Sequence, residues 1–288
     1  MSGFILKSGD LKARVLVPES YRYTRTRFNH SAFVQDVWYK GVRFTQYERS
    51  QPGGFNTTEG SGICCEYNCQ QIELDSQPGE MYLKPGIGVL KREEYTWSIV
   101  HHVKYEPLPT RYEIVGEDTA IFETDSPKVN GYAYYEKRVV KLDGNKLTKT
   151  VTLRNTGDKP FEMEEYGHNF ISLGDEAVDE NYKLEVPALK DTAGLTNGVL
   201  YPVPGGFELE GEPSFSFYVK SSDTVKGEPA WRMTHKTLGW NCCEYTSFDP
   251  CRVAIWGDYY VLSCEVFLPI KLAPGEEMTW SRTWEFNV

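Results

Sequence analysis

The sequence predicts an all-β protein, folded as one large antiparallel sandwich of two packed sheets. Three observations carry this reading. Helical periodicity is nearly absent along the 288 residues. Runs of β-branched and aromatic residues recur almost everywhere, separated by turn-forming residues. Aromatic residues are abundant, with 14 Phe, 7 Trp and 19 Tyr, and these suit a pleated, half-buried surface. Many short strands without helices make two packed antiparallel sheets or a barrel, and the sandwich is the reading adopted. No internal repeat and no low-complexity linker divides the chain. Residues 1–288 are therefore expected to form a single domain.

The elements follow in order. Arg14 to Val17 and Ala32 to Phe44 read as strands, with Lys40-Gly41 as a turn. Residues 51–62 are rich in Gly, Thr and Ser and read as a loop. Tyr132 to Leu142 and Leu147 to Asn155 read as a hairpin joined by Asp143-Gly144, a strong turn dipeptide. In its second arm Leu147, Val151 and Leu153 share a face with Lys149, while Thr148, Thr150 and Thr152 line the other. R-N-T-G-D-K-P, with Asn155, Gly157 and Pro160, reads as a turn leading into E-Y-G-H-N-F-I-S-L, Glu165 to Leu173. Val203 to Gly206 is a further loop. Phe207 to Val219 reads as two strands broken by Gly211 and Pro213. Arg252 to Trp256, Tyr259 to Leu272 and Met278 to Phe286 are strands, with Pro274-Gly275 turning between the last two.

Composition excludes several functions. A formal charge of −10 and a pI of about 5.1 argue against a nucleic-acid partner, because phosphate backbones need clustered positive charge. Arg22, Arg25 and Arg27 are a local exception, read for the first two as a solvated strand face. No apolar run approaches the roughly 20 residues that cross a bilayer, and the apolar part of the start is too short for a signal peptide. A cytoplasmic protein without a membrane partner is expected. Cys64, Cys65 and Cys69, and Cys242, Cys243 and Cys251, form two loose groups without C-x-x-C spacing. Adjacent cysteines in a strand point to opposite faces. Buried free thiols are expected rather than a zinc site across the groups. The aromatic content suits sugar stacking as well as a strand-rich core.

Two residues stand out chemically. His168 is one of five histidines and alternates with Tyr166 and Phe170 at the end of a strand. It is either a core histidine bonded to backbone groups or a proton-transfer group near neutral pH. Glu265 sits in mid-strand. Leu262, Cys264, Val266, Leu268, Ile270 and Leu272 form one uniformly apolar face, expected to meet the other sheet. Glu265 lies on the other face with Tyr259, Val261, Ser263, Phe267 and Pro269. A single acid on a half-apolar face is either a surface acid paired with Lys or Arg, or a carboxylate in a partly desolvated pocket. The pocket would raise its pKa toward neutrality.

Taken together these segments resemble the aldose 1-epimerase (galactose mutarotase-like) superfamily, in its bacterial aldose-epimerase-like branch. N-T-G-D-K-P followed by E-Y-G-H-N-F-I-S-L resembles the segment leading to the family's catalytic histidine. C-E-V-F-L-P-I-K-L-A-P-G-E-E-M-T-W resembles its catalytic glutamate strand and the L-x-P-G-E turn. T-R-F-N with Y-K-G-V-R-F resembles the N-terminal hairpin. Y-L-K-P-G-I-G-V-L-K-R and G-Y-A-Y-Y-E-K-R-V-V-K-L are similar to further family segments. The matches run through nearly the whole chain in the family's order.

The resemblance implies a β-supersandwich with an open cleft on one sheet, and interconversion of the α and β anomers of a sugar. It makes Glu265 the base at the anomeric hydroxyl and His168 the acid at the ring oxygen, with no metal or organic cofactor; hydrogen-bond reach to the two sides of one sugar ring would set their polar atoms about 5–8 Å apart. Galactose mutarotases also carry a sugar-holding histidine in an L-H-G-G segment. This chain has none, and Lys84-Pro85-Gly86 holds about that place, with His101-His102 later in another context. Arg27, Glu66, Lys84 and Asn169 are the candidates for sugar contacts. For Arg27 and Glu66 a structural salt bridge is the alternative, and for Asn169 support of the backbone at a bulge. Two other functions remain open: a hexose-phosphate mutarotase, drawing on Arg22, Arg25, Arg27, Lys84, Lys91 and Arg92, and a non-catalytic carbohydrate-binding protein. A glycoside hydrolase would need two carboxylates flanking the bond, and Glu265 is the one that stands out.

Overall fold

The computed structural model describes residues 3–18, 25–48, 60–99 and 103–288. The strands, in chain order, begin with β1 Gly3–Ser8, β2 Leu11–Leu16, β3 Val34–Tyr39, β4 Val42–Arg43 and β5 Ile63–Asn68. A single-turn helix, α1 Gln70–Leu74, follows, then β6 Met81–Lys84, β7 Gly88–Lys91, β8 Tyr105–Pro107, β9 Thr110–Val115 and β10 Thr119–Asp125. The middle of the chain supplies β11 Tyr134–Asp143, β12 Lys146–Asn155, β13 Phe161–Asn169, β14 Tyr182–Glu185, β15 Leu200–Val203, β16 Gly206–Leu209 and β17 Phe217–Ser221. The last strands are β18 Trp231–His235, β19 Asn241–Thr246, β20 Arg252–Gly257, β21 Leu262–Leu272 and β22 Glu277–Asn287.

Among the described residues the strands form two large antiparallel sheets and a small one. The first runs β1-β2-β3-β5-β13-β21-β20-β17, with β4 on β3. The second runs β15-β16-β14-β18-β19-β22-β12-β11-β10-β9. The third is β6-β7-β8. The two large sheets pack on one apolar core, in which Leu262, Cys264, Val266, Leu268, Ile270 and Leu272 of β21 meet Leu147, Val151, Leu153, Trp280 and Trp284 of the second sheet. No described helix is long and apolar enough to cross a membrane.

The expected hairpin forms with a one-residue shift. Asp143 already pairs with Lys146, so Gly144-Asn145 is the loop, and Gly144 takes a φ of 58° that glycine adopts without penalty. Lys40-Gly41 closes the Tyr39↔Val42 pair. The pair of strands expected across Phe207 to Val219 divides between the sheets: β16 joins the second and β17 the first. Most of residues 51–62 lies outside the described residues, as do Arg22 and His101-His102.

Two crossovers between the sheets set the strands of interest side by side. One is Thr156 to Pro160, from β12 to β13; the other is Ala273 to Glu276, from β21 to β22. Asn155 joins them: its Nδ2 donates to Lys159 O at 2.8 Å and to Leu272 O at 2.9 Å, and its Oδ1 accepts from Gly157 N at 2.9 Å. Gly157 is required here, because a Cβ would stand 2.5 Å from Gly131 O. With their ends tied, β13 and β21 pair from Phe161↔Leu272 to Tyr166↔Phe267.

Polar groups also cross the core. Arg282 of β22 reaches Glu165 of β13 at 2.7 Å and Glu244 of β19 at 2.8 Å, and donates to Val266 O at 2.8 Å. Tyr67 Oη donates to Glu136 at 2.6 Å and Lys149 Nζ to Ile63 O at 2.5 Å. These are buried side chains, so each depends on its partner to offset desolvation. Arg282→Met would leave Glu165 and Glu244 buried without their cation. It is expected to lower stability by about 3–5 kcal/mol, read as a lower urea midpoint. A loss under about 1 kcal/mol would show that the network does not hold the sheets together.

Candidate active site

Alternation along β13 divides its side chains between two environments. Phe161 and Met163 enter the apolar core and Glu165 meets Arg282. Tyr166 and His168 face the opposite side, into a cleft of about 630 Å³. The neighbouring strands present their own residues there by register. Tyr166 pairs with Glu66 of β5 and with Phe267 of β21, and Phe267 pairs with Arg252 of β20. Two residues further on, antiparallel pairing brings His168 beside Glu265. Trp256 of β20 and Tyr218 of β17, itself opposite Trp256, extend the lining, with Trp97, Glu48 and Asp258 at other walls.

His168 and Glu265 are in direct contact, with Nε2 3.2 Å from Oε1. The separation of 5–8 Å expected from the sequence is corrected by this geometry. Side chains directly opposite on neighbouring strands have Cβ atoms only about 4.5–5.5 Å apart, so the two groups meet. A sugar therefore has room over the pair rather than between its members. The imidazole stacks on Phe170 at 4.1 Å and meets the edges of Phe28 at 5.4 Å and Trp256 at 5.3 Å. Its Nδ1 has no hydrogen-bond partner among the described residues.

This environment sets the charges. Burial, and secondarily the Arg27 guanidinium, hold the His168 imidazole well below its ordinary range. Burial pushes the Glu265 carboxyl up to about 7, with Arg27 opposing and Glu66 adding to the rise. Below about pH 7 the pair therefore holds one proton, resting on Glu265, and it loses that proton as pH rises through this value. A carboxylate and an imidazole sharing one proton can take a proton from one hydroxyl and return one to a neighbouring oxygen.

The remaining candidates fall in different places. Arg27 is at the cleft. Its Nε donates to Glu66 Oε2 at 3.0 Å, its Nη2 to Tyr166 Oη at 3.2 Å, and its guanidinium lies over Phe28. Tyr166 Oη also donates to Glu66. The salt bridge weighed for Arg27 and Glu66 is thus present, and both still line the cleft. Lys84 lies outside the main cleft, in a small adjoining cavity. Asn169 does not reach the cleft, which corrects its assignment as a sugar contact. It alternates to the core face, where its Nδ2 donates to Cys264 O at 2.8 Å and its Oδ1 accepts from Trp284 Nε1 at 3.0 Å. Its backbone N donates to Ser263 Oγ at 3.0 Å. Asn169 thereby joins the chain beside His168 to the chain beside Glu265, past the last paired residues of β13 and β21.

Arg252, Trp256 and Tyr218 were not among the expected site residues. The alternation Arg252, Ala254, Trp256 in β20 carries the signal for the first two, since it puts a cation and an indole on one face. The guanidinium of Arg252 lies 3.8 Å over the Phe267 ring and pairs with Glu164. Six of the seven cysteines are buried and free, while Cys251 is half-buried. Cys64 packs against Phe28 and Phe170. No three His, Cys, Asp or Glu side chains gather as a metal site among the described residues.

No protein-family model and no curated protein matches the chain by sequence. Solved structures do match along its whole length. A galactose mutarotase-like protein from Clostridium acetobutylicum superposes with a TM-score of 0.60 at 13% identity, over 98% of this chain and 94% of that one. A galactose mutarotase related enzyme from Lactobacillus acidophilus gives 0.59 at 11% identity, over 99% and 97%. A galactose 1-epimerase from Lactobacillus acidophilus NCFM gives 0.55 at 14% identity, over 99% and 94%. At these identities the likeness is one of architecture, and the chain has the galactose mutarotase-like fold.

Proposed function

We propose that the chain is an aldose 1-epimerase-like isomerase that interconverts the α and β anomers of a sugar. The observation that carries this reading is the His168–Glu265 contact at the floor of an aromatic-lined cleft. Two proton-transfer groups on one face of a sheet, sharing one proton near neutrality, suit a reaction that moves one proton off the sugar and another onto it.

The pair's single proton, which rests on Glu265, crosses the 3.2 Å contact to His168 Nε2, and Glu265, now a carboxylate, removes the proton from the anomeric hydroxyl. His168, as imidazolium, protonates the ring oxygen. The C1–O5 bond breaks as the C1–O1 double bond forms, giving the open aldehyde. Rotation about C1–C2 presents the other face of the carbonyl. Ring closure then returns a proton to O1 from Glu265 and removes one from O5 to His168. Protons and electrons balance without redox change, and both groups end as they began. Trp256, Phe267 and Trp97 offer faces and edges for the apolar side of the ring. Arg27, Glu66 and Arg252 offer donors and acceptors for its hydroxyls. Proton transfer and positioning carry the chemistry.

The test is anomer exchange, followed by NMR or polarimetry across a panel of aldoses and their charged derivatives. Acceleration over buffer is expected for at least one of them. Binding without exchange would instead make the chain a carbohydrate-binding protein. Glu265→Gln removes the base while keeping the shape, and the rate should fall roughly 10²–10⁴-fold.

The pH profile follows from the shared proton. The active pair holds one proton. It loses that proton as pH rises through about 7, the value to which burial lifts Glu265, so kcat/KM should fall above that pH. It gains a second proton only well below the ordinary histidine range, because burial holds His168 down, so the acid limb should lie there. A rate that climbs steadily from pH 7 to about 9 would contradict the one-proton pair.

A further inference from the structure

Beside the main cleft lies an annex of about 200 Å³ whose walls include Glu66, Asn68, Glu73, Tyr82, Lys84 and Trp97. Glu66, Asn68 and Trp97 are also walls of the cleft, so the annex adjoins it. Lys84 is only 3% exposed. Its ammonium stands 3.6 Å from the centroid of the Trp97 ring, and no carboxylate among the described residues pairs with it.

The nearby acids are committed elsewhere. Glu73 pairs with Arg92 at 3.3 Å and accepts from the backbone N of Trp97 at 2.6 Å. Glu66 is held by Arg27 and Tyr166. Other cations are spent in the same way. Arg92 also donates to the carbonyls of Glu93 and Tyr95, and Lys91 is exposed and lines neither cavity. That leaves Lys84 as the cation of the annex without a carboxylate. A ring face offsets part of the cost of burying an ammonium, but the remaining charge calls for an anion. A neutral hydroxyl can accept its hydrogen bond without balancing its charge.

We propose that the annex is a specificity subsite for an anionic substituent, carboxylate or phosphate, on the aldose that the cleft receives. The identification of the ligand as an aldose rests on the function proposed above; the preference for an anion rests on Lys84 and the annex. The subsite selects charged sugars over their neutral parents, and Lys84 is the residue that makes the distinction.

The experiment compares glucose, glucose 6-phosphate and glucuronate, together with the galactose series, by calorimetric binding and by NMR anomer exchange. At least one anionic sugar is expected to bind at least tenfold more tightly than its neutral parent, and the choice between phosphate and uronate names the source of the charge. Lys84→Met should reduce that charged-to-neutral ratio at least tenfold, while Lys84→Arg should keep most of it. Equal or better binding of every neutral parent by the unaltered protein would overturn the proposal. So would a Lys84→Met protein that binds charged and neutral sugars in the original ratio. Selective binding of an anionic sugar without exchange supports the subsite and removes the epimerase reading. Exchange of charged and neutral sugars with equal efficiency supports the epimerase reading and removes the subsite.

Discussion

The fold turns on the side chain of Arg282, buried between the sheets and held by Glu165 on one and Glu244 on the other. It is an ionic contact with direction, unlike the apolar packing around it. Glu165 and Asn169 of β13 must face this network, and alternation then forces Tyr166 and His168 to face the cleft. A one-residue slip of β13 would drive Glu165 out toward solvent and press His168 into the core. Apolar residues alone tolerate small errors of register. A buried guanidinium between two carboxylates does not, because each misplaced charge stays unpaired in a low-dielectric interior.

That constraint reaches the reacting groups through Asn169. The paired residues of β13 and β21 end at Tyr166↔Phe267, just before His168 and Glu265. Asn169 supplies hydrogen bonds to Ser263 and to Cys264 O where the ladder stops, and Trp284 of the opposite sheet holds its carbonyl oxygen. The contact between imidazole and carboxylate is therefore set from beneath, by the core. From above it is set by burial. The same desolvation lifts Glu265 and depresses His168, which brings an acid and a base of different intrinsic strength toward sharing one proton. Arg27 is drawn into this field without meeting either group in a salt bridge, since Glu66 holds its Nε.

Much of this was legible in the linear order of residues. The turn dipeptides at Lys40-Gly41 and Asp143-Gly144 marked their hairpins to within a residue, because positive φ restricts which residues occupy those turns. The two faces of β21 were legible because one is apolar at six alternate positions and the other carries a single acid. Helix α1 was missed: a single turn is too short to display a period. The division of β16 and β17 between two sheets was missed as well, since alternation records which residues are buried and not what buries them. Asn169 was placed correctly on the face opposite His168, but its use as a joint between two strands depends on Cys264 and Trp284, 95 and 115 residues away in sequence.

By itself the sequence determined an all-β architecture, the sides of the strands on which His168 and Glu265 stand, and a formal net charge of −10. These follow from local rules: period-two alternation, turn chemistry and composition. The tertiary structure alone decided that the two residues touch, that Arg27 and Glu66 share a salt bridge at the cleft, and that Lys84 lies in an annex with no carboxylate paired to it among the described residues. Each of these is a relation between strands distant in the chain. Pairing register and the loss of water decide such relations, and neither is written in any one segment.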